Sequence, residues 1–223
     1  MPLQLLSWSV AMNNPVEIYK KVRVSLNRLN RKQRQAIGLA AVALGVSLLI
    51  AQGVRPMIDP TAYKPLLDTI AKGESNGNYN AYFGGAGNAE VRFTDMTVAD
   101  VMKWQQEYIQ KGAASNAVGR YQFMGTTLAG LVKQLRISPQ AQFDEALQDR
   151  LAIALIERRG SLKFAQGNIS REEFAANLAM EWAALPRMTG EDPHQSYYAG
   201  DGLNHARVTS DEVLNAIAKL KDS

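Results

Sequence analysis

The chain has 223 residues, no cysteine and a formal net charge of +4, a length that suits one domain with an appendage. The missing cysteines exclude disulfides and thiolate metal sites. The charge is uneven: residues 1–54 carry +6 and the remainder −2. The C-terminal part therefore lacks the basic character of a nucleic-acid binder, and no nucleic-acid partner is expected.

Residues 1–34 hold seven of the 25 Lys and Arg, all between Lys20 and Arg34. No charge then occurs from 35 to 54, a stretch that as a helix spans about 30 Å and is expected to cross a bilayer. The positive-inside rule puts the basic residues 1–34 in the cytoplasm and the C-terminal domain across the inner membrane, on the periplasmic side. A cleaved signal peptide is the alternative. Ala51-Gln52-Gly53 has the small residues it would need, but the basic segment and the apolar run are both long for one. Ser47, Gln52 and many Ala and Gly dilute the apolar run, so the expected anchor is weak. Gly38, Ala41 and Gly45 equally suit a helix-packing face. Residues 55–63, with Pro56 and Pro60, read as a linker to a folded domain over 64–223.

That domain reads as mainly α. A short helical run over 65–72 leads to Gly73-Glu74-Ser75. Tyr79 to Phe93 is rich in Gly and Asn, and a small β-hairpin lobe is expected there. Thr97 precedes a helical face through Val101 and Gln105 that stops at Gly112. Further helices are expected over 126–135 and over 143–159, the latter stopped by Gly160. Ser170 with Glu173, and Thr209 with Glu212, have capping-box spacing and open the last two helices. The first of these carries Phe174, Leu178 and Trp182 inward.

Glu74 is the residue with the strongest chemical signal. A glutamate at a helix C-terminus is opposed by the helix dipole, so its position lacks a structural reason. Beside a polar loop, a single carboxyl suits a general acid. Residues 117–124, Ala-Val-Gly-Arg-Tyr-Gln-Phe-Met, form a second marked segment. Tyr121 and Gln122 are expected to face a cleft there, the alternative being a turn with Tyr121 in the core; Phe123 and Met124 read as core. Arg120 reads equally as a partner of a buried acid or as a substrate contact. Ser75 and Asn80 are further binding candidates. Asp95 reads as a cap or turn before it reads as a catalytic aid. Trp104 and Trp182 sit at helical spacing and read as core. His194 and His205 lack ligand spacing, so no metal is expected.

Three landmarks occur in order: Gly73-Glu74-Ser75; Phe93-Thr94-Asp95 with Gly119-Arg120-Tyr121-Gln122; and Trp182-Ala183-Ala184-Leu185-Pro186 with a Tyr-containing loop. Together they resemble phage lysozyme-like muralytic enzymes of the lambda endolysin type. The resemblance implies an α+β lysozyme-like fold and a lytic transglycosylase that cleaves the β-1,4 bond between MurNAc and GlcNAc in peptidoglycan. It implies Glu74 as acid and then base, 1,6-anhydro product ends, and no cofactor. A tyrosine of the family falls on Tyr197 or Tyr198, and the longer loop here leaves both as substrate-binding candidates. Position 83, nine residues after Glu74, is Phe83. This departs from the Glu-Asp-Thr spacing of hydrolytic phage lysozymes. With the weak anchor, the resemblance implies an endolysin held at the inner membrane and released to the periplasm for host lysis. A virion- or envelope-machine muramidase and a glycan-binding module without activity remain alternatives at this stage.

Overall fold

The computed structural model describes residues 58–220. The expected cytoplasmic segment and the expected span over 35–54 lie outside those residues. Among the described residues, no helix is long and apolar enough to cross a membrane. Ile58–Ser223 form one compact unit.

The order of elements follows from capping chemistry. Asp59 accepts from the Thr61 backbone N–H at 2.9 Å and starts a 3-10 turn, Pro60–Tyr63, which runs into α1, Lys64–Ser75. Residues 60–63 fall within the stretch read as a linker, yet they pack into the fold. Tyr63 is buried, and its hydroxyl pairs with Ser161 Oγ at 3.0 Å. α2, Val98–Gln110, begins where Thr97 accepts from the Asp100 N–H. α3 is Gly125–Gln134, and α4, Glu145–Arg158, begins where Asp144 accepts from the Leu147 N–H. Gly160, at φ 109°, separates α4 from a short α5, Ser161–Ala165. α6 is Arg171–Ala179 and α7 is Ser210–Ala218. Thr209 and Glu212 form a reciprocal capping box. Ser170 accepts from the Glu173 N–H at 3.0 Å. α6 stops before Trp182, so this tryptophan enters the core from the segment that follows the helix.

The principal helix packings are α1 on α7, α6 on α7, α2 on α3, α4 on α5, α1 on α4 and α5 on α6. Leu66 and Ile70 of α1, Leu151 of α4, Phe174 and Leu178 of α6, and Ile217 of α7 are fully buried in the core. Val101 of α2, Leu128 of α3, Phe93, Phe123 and Phe143 belong to the same apolar cluster.

The expected β-hairpin is not formed. Among the described residues there are isolated bridges only, such as Tyr82 to Gly85 and Val118 to Phe123. Side chains of the 78–91 loop take up backbone groups that a ladder would otherwise pair. Asn78 Nδ2 donates to the Ala86 and Asn88 carbonyls, both at 2.9 Å. Asn88 Nδ2 donates to the Asn80 and Val91 carbonyls at 2.6 and 2.8 Å, and its Oδ1 accepts from the Glu90 and Val91 N–H groups. Asparagine competes with secondary structure in this way when its amide reaches nearby backbone. The tightest antiparallel contact lies further on, where Val118 and Phe123 exchange both backbone bonds around the turn 119–122.

Candidate active site

Glu74 is in the last turn of α1. The helix ends at Asn76, which takes the left-handed conformation (φ 56°) and returns its N–H to the Ala71 carbonyl. Only the loss of a side chain lets this end approach its neighbour. A Cβ on Gly73 would stand 2.8 Å from Ala184 Cβ, closer than packed carbons sit. With Gly73 there, the segment after Trp182 reaches the helix end, and the Ala184 N–H donates to Glu74 Oε1 at 3.0 Å.

The carboxyl is short of water. Burial drives its pKa up from the ordinary carboxylate range to about 7, against the opposing effects of the Ala184 N–H and the charge of Arg207. Neither of those groups is an acid. Because Oε1 holds the backbone bond, Oε2 is the atom left to carry the proton. A carboxyl poised near neutrality can give up a proton and take one back in the same cycle.

The other expected site residues behave differently. Ser75 is buried, and its hydroxyl donates to the Arg120 carbonyl at 2.7 Å and to Ala71 O at 3.3 Å. Its position ties α1 to the 119–122 turn and does not present the hydroxyl to a ligand. Asn80 Oδ1 accepts from the Thr94 N–H at 3.0 Å and Thr94 Oγ1 at 3.2 Å, which joins two loop segments. Tyr121 takes the core position of its two expected alternatives. Only 1% of it is exposed, and its hydroxyl donates to Asp149 Oδ1 at 2.6 Å. Gln122 sits at φ 49° and folds its amide back onto the Gly119 carbonyl at 2.9 Å. Tyr197 and Tyr198 are exposed, their rings edge to face at 5.2 Å, and the Tyr198 hydroxyl donates to the Met180 carbonyl at 2.8 Å.

Arg120 is the centre of a polar network. Its guanidinium donates to Asp68 Oδ1 at 2.7 Å and lies 3.5 Å from Asp149 Oδ1. It also donates to the hydroxyls of Tyr79 and Tyr121 at 3.1 and 2.8 Å. Of its two readings from sequence, the structure has the one in which it pairs with acids. Asp95 is exposed in the 3-10 turn Phe93–Asp95 and approaches Arg92 at 3.7 Å. Trp182 is buried, and its Nε1–H donates to the Tyr121 carbonyl at 3.2 Å. Trp104 is partly buried and stacks on Tyr108 at 4.6 Å. Met124, read as core, is exposed at the start of α3. Among the described residues no cluster of His, Asp and Glu is arranged to hold a metal ion.

Two contributors to Glu74 are not read as site residues from the sequence, although Ala184 belongs to the third landmark. Ala184 acts through its backbone, which carries no side-chain signal. Arg207 donates its N–H to the Ala184 carbonyl at 2.9 Å, and it enters the site through that tertiary pairing.

A family model described as Endolysin matches residues 64–206, a span that contains Glu74, the 119–122 turn and Ala184. None of the curated proteins compared with the chain matches it. Among solved structures, one described as lysozyme from bacteriophage lambda is similar at 21% identity. The match covers 75% of this chain and 96% of that one, with a TM-score of 0.44.

Proposed function

The chain belongs to the endolysin family, and from that premise we propose that it is a phage peptidoglycan-degrading enzyme, a lytic transglycosylase that cuts the MurNAc–GlcNAc β-1,4 bond with Glu74. The observation that carries this reading is the state of Glu74: one carboxyl, desolvated, with a pKa of about 7, and acted on by a backbone N–H and an arginine.

The steps follow from that carboxyl. Oε2–H protonates the glycosidic oxygen as the bond from C1 of MurNAc breaks, through an oxocarbenium-like transition state. The C6 hydroxyl of the same sugar attacks C1, and its proton passes to Oε2. The 1,6-anhydro ring closes, Glu74 is again protonated, and no water is consumed. Hydrolases of the retaining or inverting kind use a second carboxylate; the groups that act on the Glu74 carboxyl among the described residues are the Ala184 N–H and Arg207. Ser75 and the Tyr121 carbonyl support this site by tying α1 and Trp182 to the 119–122 turn. Tyr197 and Tyr198, exposed and adjacent, are the aromatic surface offered to glycan. We further propose that residues 35–54 anchor the chain in the inner membrane, with 1–34 cytoplasmic and the catalytic domain periplasmic.

The test uses the full-length chain on purified sacculi. Glu74→Gln should lower the rate by roughly 100-fold or more, the scale of a lost general acid. Mass spectrometry of the wild-type products should show 1,6-anhydro ends. Undiminished activity in the Gln variant would remove Glu74 from the mechanism, and reducing muramic ends would turn the transglycosylase into a hydrolase.

A further inference from the structure

Two neighbouring carbonyls of one turn hold the two walls that meet at the Glu74 carboxyl. Ser75 Oγ, next in chain to Glu74, donates to Arg120 O at 2.7 Å. Trp182 Nε1, two residues before Ala184, donates to Tyr121 O at 3.2 Å. The segment then turns, with Leu185 N–H on the Trp182 carbonyl at 3.1 Å, and Ala184 N–H reaches Glu74 at 3.0 Å. The path Glu74, Ser75, Arg120, Tyr121, Trp182, Ala184 and back to Glu74 is a closed ring of covalent and hydrogen bonds.

The turn that anchors the ring is itself fixed. Gly119 N–H donates to Ala81 O at 2.8 Å. Arg120 N–H donates to Oε1 of the fully buried Gln148 at 2.9 Å, and the Arg120 side chain is held by Asp68 and Asp149. A buried indole N–H usually finds some partner. Here the partner is the carbonyl adjoining the one that holds the catalytic helix end, so the indole sets the position of Ala184 relative to Glu74.

We propose that Trp182 and Ser75 are positioning residues, which act through the adjacent carbonyls of Tyr121 and Arg120 to hold the Ala184 N–H against Glu74 and so govern its proton transfer. The proposal rests on the reading of Glu74 as the proton donor. Arg207 acts on it from the segment before α7, Lys72 of α1 is paired with Glu212, and Arg120 is paired with the two aspartates. The Ala184 N–H favours the charged carboxylate, so loosening it pushes Glu74 towards the protonated form at a given pH.

The experiment compares pH–rate profiles on sacculi for the full-length wild type, Trp182→Phe, Ser75→Ala and Glu74→Gln, with circular dichroism and thermal melts on each. Trp182→Phe keeps most of the ring and removes the donor. Its alkaline limb should move up by about one pH unit, the size of one hydrogen bond to a charged group, with a maximal rate lower by roughly tenfold from misplacement. Ser75→Ala should move the limb in the same direction by less, and it carries the test alone if Trp182→Phe fails to fold. A folded variant with a lower melting temperature and an unmoved limb would overturn the proposal, because a purely structural role changes the amount of folded enzyme and not the limb. Full activity in Glu74→Gln would instead overturn the underlying reading of the site, whatever the other variants do.

Discussion

The free energy stored at Glu74 is visible from two sides. Its carboxyl titrates near 7 in the folded chain against 4.5 as a free side chain, so folding takes up a proton between those values. For a group whose folded pKa is raised, the stabilising contribution is complete below the unfolded value and is lost as pH rises through the folded one. The size is about 3 kcal/mol at most. Glu74→Gln removes this dependence, so the variant should melt higher than wild type at pH 8 and close to it at pH 4.5, while activity is lost at both. Equal melting differences at the two pH values would show that Glu74 is not held in a desolvated state. The position of Glu74 was legible because a glutamate opposing the helix dipole lacks a local reason. The partners of its neighbours were not. Ser75 and Gln122 bond to backbone carbonyls, and any residue supplies a carbonyl, so nothing in the sequence distinguishes such a contact from an outward-facing one.

At the scale of elements, the approach of α1 to the 182–186 segment is set by one missing methyl group. Gly73→Ala would gain about 1 kcal/mol of helix propensity but place a carbon 2.8 Å from Ala184 Cβ, and overpacking of this kind costs about 1–3 kcal/mol. The variant should be less stable than wild type and, because Ala184 must move away from Glu74, disproportionately less active. Adding Ala184→Gly returns the space. The double variant should be more stable and more active than Gly73→Ala alone, a coupling read by thermal melts and sacculus assays in a double-mutant cycle. Additive effects would mean that the two methyl positions do not compete. The helices themselves were legible from their caps: Thr97 and Thr209 start α2 and α7 as their spacing predicts. The segment Tyr79 to Phe93 does not form the expected hairpin because its bonds run from asparagine side chains to backbone, and period-2 patterning cannot reveal them. Trp182 was placed on a helix by its spacing, yet α6 ends at Ala179. Its burial was foreseen and its route into the core was not.

At the scale of the whole chain, charge and hydropathy separate a basic, then apolar N-terminal part from a catalytic unit of nearly balanced charge. The unit Ile58–Ser223 has its own core and carries Glu74. An uncharged run diluted by Ala, Gly, Ser47 and Gln52 gains little free energy from insertion, since each Leu or Ile contributes only about −0.3 to −0.6 kcal/mol at the centre of a span. On the proposed reading of residues 35–54 as an anchor, one held by a membrane potential that acts on the adjacent Lys and Arg at about 2.3 kcal/mol per charge per 100 mV should let go when the potential collapses. In expressing cells the full chain should therefore fractionate with membranes, then move to the soluble periplasmic fraction when the proton gradient is dissipated, with lysis following. Replacing Gly38 and Gly45 by Leu deepens the apolar free energy without touching the catalytic unit, so that variant should stay with the membrane after dissipation and lysis should be delayed. If wild type and the Leu variant both stay, the anchor is permanent and the enzyme works from the membrane surface. If wild type never enters the membrane fraction, residues 35–54 are not an anchor.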